Sequence, residues 1–465
     1  STLFCQSVMF SKVTPTNSTG ANPWGIASGD FNGDPYPDVV VGTDASTVEV
    51  FINNSDGTVG NDGTFAAGVT LTATAPNDLL FVEGVAVGDL NEDNDVDIIA
   101  TSYGNNNLVW FEGNGDGTFQ DAIEISEGLS GAGAVEVADL DNDDHLDIVV
   151  SNYGPGGDGD SVVYFLGNGD GTFGIKRFIV PETADLGPGA IILGDFDNQD
   201  TDPNDDDIDV LVTFIDSGDI IVYDNDYEES GYDGMGNVPF NAYSTVDSGN
   251  GYLFNNVSFA DINDSGRLEI VKTDNNPGAN PNIAWYAYDD SDVDGNPLLT
   301  TTWSETTIST SISRTANATV ADFDGANGND LLVTNGRSTD ADIIWFESDG
   351  IGGFSSEHII DDSNPAIFDV EIADFDNDGD LDIGTTSYLS AQFSVFLNDR
   401  FTLSTQDINS EQSISIYPNP TSDKLHFNGP FNNDFEVNVY DVLGNRVIQR
   451  MVKIDASLDV SRLNN

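Results

Sequence analysis

Carboxylates and amides at alternate positions, repeated seven times, are the residues of this sequence with the plainest chemistry. The first set is Asp30, Asn32, Asp34 and Asp38, the second Asp89, Asn91, Asp93 and Asp97, and the third Asp139, Asp141, Asp143 and Asp147. The fourth opens at Asp195 and Asp197, takes an acidic insertion and ends at Asp209. The fifth is Asp261, Asn263, Ser265 and Glu269, the sixth Asp322, Asp324 and Asp330 with Ala326 where a third ligand would stand, and the seventh, the fullest, Asp374, Asp376, Asp378 and Asp382. Counting each set's first Asp as offset 0, side chains at offsets 0, 2 and 4 of a tight loop point inward together. A backbone carbonyl near offset 6 and a carboxylate at offset 8 complete an all-oxygen shell of the size Ca²⁺ prefers. Offset 5 must turn sharply, and Asn94, Asp144, Gly266, Asn327 and Gly379 stand there, the types that best tolerate left-handed backbone. Pro35 breaks that pattern in the first loop. One such cluster reads as an exposed polar turn; seven in register read as structural cation sites that replace disulfides.

The elements that hold these loops follow from what flanks them. Each set is preceded by a short apolar run ending in Gly or Ala and followed at once by a β-branched run, such as Val39-Val40-Val41 or Ile148-Val149-Val150. An EF-hand or dockerin loop needs a Glu at its twelfth position and a following helix, so that alternative fails, and a nonapeptide calcium roll has far too short a period. Further strand signals lie downstream, among them Asn107 to Phe111, Val162 to Phe165 and Asp342 to Phe346. Turns such as Asn114-Gly115-Asp116-Gly117-Thr118-Phe119 and its near copy at Asn168 to Phe173 supply the positive φ of tight hairpins. Four short strands per unit, seven units and no helical periodicity predict an all-β fold, a seven-bladed β-propeller. Val8 to Val13 is similar to the outer-strand segment Phe119 to Ile125, which predicts that it completes the last blade and locks the ring.

Composition narrows the partners. The 465 residues carry 81 Asp and Glu against 13 Lys and Arg, a formal net charge of −68, yet 38% are hydrophobic. Such a chain buries a core, and its field repels nucleic acid and anionic membranes. The single Cys5 excludes an intramolecular disulfide. No apolar stretch approaches the roughly 20 residues of a spanning helix, and the start at Ser1 reads as a chain whose export signal has been removed.

With these motifs in view, the Asp-x-Asp-x-Asp-Gly-x-x-Asp loop of Asp374 to Asp382 and the Asn-Gly-Asp-Gly-Thr-Phe turns resemble the FG-GAP or VCBS repeat of integrin-α-like propellers. The resemblance covers residues 1–400 and implies a seven-bladed propeller with up to about seven structural Ca²⁺ in the blade loops. The family spans adhesion proteins, glycan-binding modules and some polysaccharide-active enzymes, so the fold alone does not choose among them.

A second module begins beyond residue 400. Residues 1–412 hold eight Lys and Arg and the last 53 hold five, which sets a near-neutral tail apart from the acidic repeats across a polar linker at 401–412. Residues 413–465, with Tyr417-Pro418-Asn419-Pro420 and the hairpin text Leu443-Gly444-Asn445-Arg446-Val447, resemble the C-terminal sorting domain of the Bacteroidetes type IX secretion system, a small β-sandwich. The family's last strand has no counterpart after Leu463 to Asn465, so the module reads as truncated. The resemblance implies handling by the type IX machinery, export across the outer membrane, and a place outside the cell or on its surface.

Catalysis finds little to stand on. No Gly-x-Ser-x-Gly, His-Glu-x-x-His or phosphate-cradling loop occurs, and His145 falls at offset 6 of the third loop, where the backbone carbonyl is used. Trp110, Trp285 and Trp345 stand in equivalent blade strands and read as core rather than sugar platforms. The expected function is therefore a non-catalytic binding or adhesion module for a glycan or protein at the cell surface. The alternative is a lyase or hydrolase acting on polysaccharide. Contact regions are expected on the irregular insertions at 155–160, 200–206, 227–238 and 275–282.

Overall fold

In the computed structural model the described residues are 10–13, 19, 21–56, 63–71, 73, 78–154, 159–182, 187–196, 207–225, 238–248, 257–274, 283–288, 303–309, 312, 315–336, 343–355, 357–363 and 366–398, with the strands of the tail. The chain divides into two compact units, Val8–Asp399 and one that includes Arg400–Asn465. Every regular element among the described residues is a β-strand.

The first unit holds seven antiparallel four-stranded sheets, which are the blades. Blade 1 is built from Pro23–Gly29, Asp38–Thr43, Val48–Phe51 and Val69–Leu71, in that order from the inner strand outward. Blades 2 to 6 repeat the pattern, with inner strands Val82–Gly88, Ala132–Ala138, Pro188–Gly194, Val257–Ala260 and Thr315–Ala321. Blade 7 takes Ile367–Ala373, Asp382–Ser387 and Gln392–Asn398 from the end of the repeats, and its outer strand is Phe10–Val13 from the beginning. The pairing Phe10↔Asn398 to Val13↔Val395 closes the ring as expected from the sequence. Lys12 fastens that closure, its Nζ 2.9 Å from Asp361 Oδ2 on the outer strand of blade 6 and 5.4 Å over the Phe396 ring.

Packing explains the sequence pattern. The second strand of every blade is buried at every position, so it reads as an unbroken apolar run rather than an alternating one. The core is divided into seven apolar seams, one between each pair of neighbouring blades. The closing seam sets Ile26, Val39, Val41, Phe51 and Phe65 of blade 1 against Phe375, Phe393, Val395 and Leu397 of blade 7. Trp110, Trp285 and Trp345 lie in these seams at 3%, 8% and 7% exposure, the core role expected of them. Small residues end the inner strands where blades crowd: a Cβ on Gly88 would meet Leu146 of blade 3 at 2.7 Å.

In the second unit, Ser415–Tyr417, Lys424–Asn428 and Ser457–Asp459 form a three-stranded antiparallel sheet and Phe435–Tyr440 pairs with Arg446–Val452. The proposed linker 401–412 lies outside the described residues, as do the four insertions except Gly159, Asp160 and Val238.

Candidate metal centres

Each acidic loop leaves the last residue of an inner strand and returns at the first residue of the second strand, so the fold itself fixes both ends of the set. The returning acid, at offset 8 in six loops and after the insertion in the fourth, is buried in all seven blades: Asp38, Asp97, Asp147, Asp209, Glu269, Asp330 and Asp382. It has a structural task. Asp382 accepts the Phe375 N–H at 2.8 Å on one oxygen and the Asn398 N–H at 2.7 Å on the other, tying the loop to the third strand. Asp38, Asp97, Asp147, Asp209 and Asp330 each make the same two bonds in their own blades. Glu269 is the variant, accepting the Ile262 N–H at 2.8 Å and the Asn263 amide at 2.8 Å.

The acid at offset 0 folds the loop. Asp374 accepts the N–H groups of Asp378 and Gly379 at 3.0 and 2.9 Å. Asp89, Asp139 and Asp261 do likewise to offsets 4 and 5 of their loops. Asp34, Asp93, Asp143 and Asp378 at offset 4 each accept the N–H of offset 6. The left-handed turn at offset 5 is present at Asn94, Asp144, Gly266, Asn327 and Gly379, with φ from 61° to 95°. A second left-handed residue at offset 3 escaped the sequence reading: Glu92, Asn142, Asp264 and Asn377, with φ of 53° to 58°. Three of these four are Asn or Asp, the signal that could have revealed it. Blades 1 and 6 put Gly33 and Gly325 there, and Asp30 and Asp322 accept those glycines' N–H groups at 2.7 and 2.6 Å instead.

Three all-carboxylate sets converge. Asp139, Asp141 and Asp147 bring one oxygen each within 4.8 Å of one another, and so do Asp322, Asp324 and Asp330, and Asp374, Asp376 and Asp382. The sixth loop, the poorest by composition, thus gathers its trio as the seventh does. Loops 1, 2 and 5 carry an amide at offset 2, namely Asn32, Asn91 and Asn263. The Asn263 Oδ1 is buried without a hydrogen-bond partner, an acceptor facing no donor. In the fourth loop Asp195 and Asp209 are described and Asp197 lies outside the described residues. The sets are oxygen-only, which suits a hard divalent cation and none of the softer metals.

Electrostatics sharpens that fit. Burial pushes Asp147 and Asp382 up to about 8, Asp38 and Asp330 to about 7 and Asp97 to about 6, against the pull of the two N–H groups each accepts. Neighbouring loop carboxylates add to the rise, as Asp376 and Asp374 do for Asp382. A cation in the loop would offset both costs.

Neighbouring loops are tied to each other. The main-chain carbonyl at offset 1 accepts a bond from the next blade: Phe31 from Gly117 N at 2.7 Å, Leu90 from Gly171 N at 3.2 Å, Leu140 from Asn225 Nδ2 at 2.9 Å and Phe323 from Asn398 Nδ2 at 2.8 Å. Phe375 of blade 7 takes the Asn53 amide of blade 1 at 2.8 Å, so the relay crosses the closure. His145 at offset 6 is no isolated spacer, for its Nδ1 meets the Glu92 carboxylate of the second loop, which raises the imidazole pKa. His358 packs against Trp345 on the outer side of blade 6, with ring centroids 5.0 Å apart.

Comparison with known proteins agrees with this geometry. FG-GAP-like repeats match residues 30–100, 89–150 and 322–385, and the secretion system C-terminal sorting domain matches residues 415–465. No curated protein matches the chain. A solved lectin of Agrocybe aegerita, described as recognising non-reducing terminal N-acetylglucosamine, is similar at 18% identity with a TM-score of 0.50, covering 75% of this chain and 84% of the lectin. BBS1N, solved in complex with ARL6DN, aligns at 10% identity and a TM-score of 0.48, covering 85% of this chain and 99% of BBS1N. Among the described residues no helix is long and apolar enough to cross a membrane. With three repeat matches, seven blades and the tail match together, the chain is a seven-bladed β-propeller of FG-GAP-like repeats that carries a type IX secretion sorting domain.

Proposed function

We propose that the propeller is a calcium-stabilised, non-catalytic binding or adhesion module whose ligand is a glycan or protein outside the cell. The sorting domain marks the chain for export by the type IX system to the cell surface or the extracellular space. The reading is carried by the convergence of three carboxylate oxygens within 4.8 Å in blades 3, 6 and 7. Asp139, Asp141 and Asp147, Asp322, Asp324 and Asp330, and Asp374, Asp376 and Asp382 would hold Ca²⁺ there, with Asp143 and Asp378 at offset 4 as further oxygen donors. The ion supplies positive charge that fixes the turn between the inner and second strands. Loops 1, 2 and 5 are proposed to bind through their mixed carboxylate and amide sets, and loop 4 through Asp195, Asp197 and Asp209.

The proposed division is a propeller at 1–400, a linker at 401–412 and a sorting module at 413–465. A chain ending at Arg400 should then fold and melt as the full chain does, and a large loss of stability on that cut would contradict the division. The functional claim is tested by incubating the full chain with immobilised neutral and anionic glycans, with calcium and after chelation. Calcium-dependent retention on a glycan without release of reducing ends or unsaturated uronates supports a binding module. Release of such products above a denatured control moves the protein to the polysaccharide-active enzymes.

A further inference from the structure

The acidic loops divide in two by the residue at offset 2. It is a carboxylate in blades 3, 6 and 7, at Asp141, Asp324 and Asp376, and an amide in blades 1, 2 and 5, at Asn32, Asn91 and Asn263. The blade that follows each loop divides in the same way. After each carboxylate loop the next blade sends one side-chain amide to the offset-1 carbonyl: Asn225 to Leu140, Asn398 to Phe323 and Asn53 to Phe375. After each amide loop the next blade instead carries a glycine turn whose main chain lies against the offset-2 residue. A Cβ on Gly117, Gly171 or Gly352 would stand 3.7, 3.5 or 3.4 Å from the Cβ of Asn32, Asn91 or Asn263, respectively. Six loops thus sort identically on two independent features, their own side chain and the element laid on them by the neighbouring blade.

The two kinds of loop balance their charge differently. In the amide loops the protein supplies its own donors. Asn91 Nδ2 donates to Asp93 Oδ2 at 3.1 Å, and Asn263 Nδ2 donates to Glu269 Oε1 at 2.8 Å. The covering turns add the Gly117 N–H on Phe31 O in loop 1 and the Gly171 N–H on Leu90 O in loop 2. Trp285 Nε1 of blade 5 fastens the turn that covers loop 5 by donating to Gly352 O at 3.1 Å. In the carboxylate loops the offset-2 side chain has no N–H to give. Asp141 and Asp324 are 2% and 4% exposed, and each brings an oxygen within 4.8 Å of two other carboxylates. Like charges so enclosed are costly unless a counter-charge joins them.

We propose that the offset-2 residue sorts these loops into two classes of cation site. Asp141, Asp324 and Asp376 make loops whose turn depends on bound Ca²⁺, whereas Asn32, Asn91 and Asn263 make loops that hold their turn without the ion and bind it more weakly. This division rests on the reading of the loops as calcium sites and adds which of them depend on the ion. It covers the six loops whose offset-2 residue is described, since Asp197 of the fourth lies outside the described residues.

The test is amide hydrogen exchange of the full chain, read peptide by peptide by mass spectrometry, in calcium and after chelation, below the melting temperature of the chelated chain. Chelation should speed exchange in the loops at 139–147, 322–330 and 374–382 by at least about tenfold, and in those at 30–38, 89–97 and 261–269 by less than about twofold. D141N gives loop 3 the amide of loop 2 and should abolish its calcium response. N91D gives loop 2 the carboxylate of loop 3 and should create a response at 89–97. The wild-type comparison and N91D carry the test if D141N fails to fold. Equal acceleration in all six loops would leave the calcium reading standing and overturn the division. No acceleration in any loop would overturn both. A wild-type response at 139–147 in D141N, or none at 89–97 in N91D, would show that offset 2 does not set the class and would overturn the proposal.

Discussion

The two ends of the ring gather carboxylates in opposite ways. At one end the acids stand in loops wrapped by their own backbone, and Asp382, Asp147 and their equivalents each take two N–H bonds. On the inner strands, facing the axial cavity, Glu83 and Glu136 accept no hydrogen bond from the described residues, and Glu136 is open to solvent. Repetition accounts for the first: an acid opens the second strand of every blade, and in six of them it accepts two main-chain N–H bonds. The second is assembled once, from one residue each of blades 2 and 3, with no main-chain donor from the described residues. A charge held by backbone dipoles serves the fold, whereas a charge left without them costs it stability.

The largest expected effect separates the acids within one loop. Asp382→Ala strands the Phe375 and Asn398 N–H groups in a buried place and should cost about 3 kcal/mol of unfolding free energy, with or without calcium. Asp376→Ala removes a proposed ligand without that anchor, so its cost should be seen in calcium and shrink after chelation. Denaturant unfolding of both variants in each condition checks this; equal, calcium-independent costs would make the loops polar turns only.

A pH series sharpens the other side of the contrast. Glu136 is raised to about 8, and Asp369 and Glu371 to about 7, chiefly by burial. A folded-state value above the unfolded one means that the folded chain binds protons more readily, so the stability linked to these groups is complete below about pH 4 and is lost as pH rises through 7 to 8. With calcium held saturating, the melting temperature should fall between pH 6 and pH 8.5, and Glu136→Gln should flatten that slope. An unchanged slope in the variant would show that Glu136 is not ionising there.

The smallest effect is expected at the loop surface. Glu92 and His145 join the second and third loops through one exposed contact, worth little in water. Glu92→Gln should leave the melting temperature unchanged while lowering the His145 pKa, which NMR titration reads, because the Glu92 carboxylate is the main cause of its rise.

The same contrast explains what the sequence made legible. The loops announce themselves because offsets 0 to 8 lie within nine residues and recur, and even the left-handed residue at offset 5 is visible in Asn94, Asp144 and Gly379. Offset 3 stayed hidden behind Glu92, a residue type with no turn signal. The closing strand Phe10–Val13 was legible through its likeness to another outer strand. The bonds that link the loops from blade to blade were not, since Gly117 donates from a turn and Asn225 from the end of a strand, and only the folded ring brings them to equivalent carbonyls. The cavity was less legible still. Glu83 is the second residue of its strand, Glu136 the fifth and Asp369 the third, so no spacing relates them. Trp24, one of five tryptophans in the sequence, is set apart only by the stack it makes with Phe368.

The central claim is that the acidic loops are cation sites, and the most direct measurement is the melting temperature of the full chain in excess chelator, then with Ca²⁺ or Mg²⁺ restored. If the seven loops bind calcium, the chain should melt many degrees lower after chelation, recover with Ca²⁺ and recover only weakly with Mg²⁺, which demands stricter octahedral geometry and dehydrates reluctantly. A melt that is the same in chelator and in calcium would contradict the account.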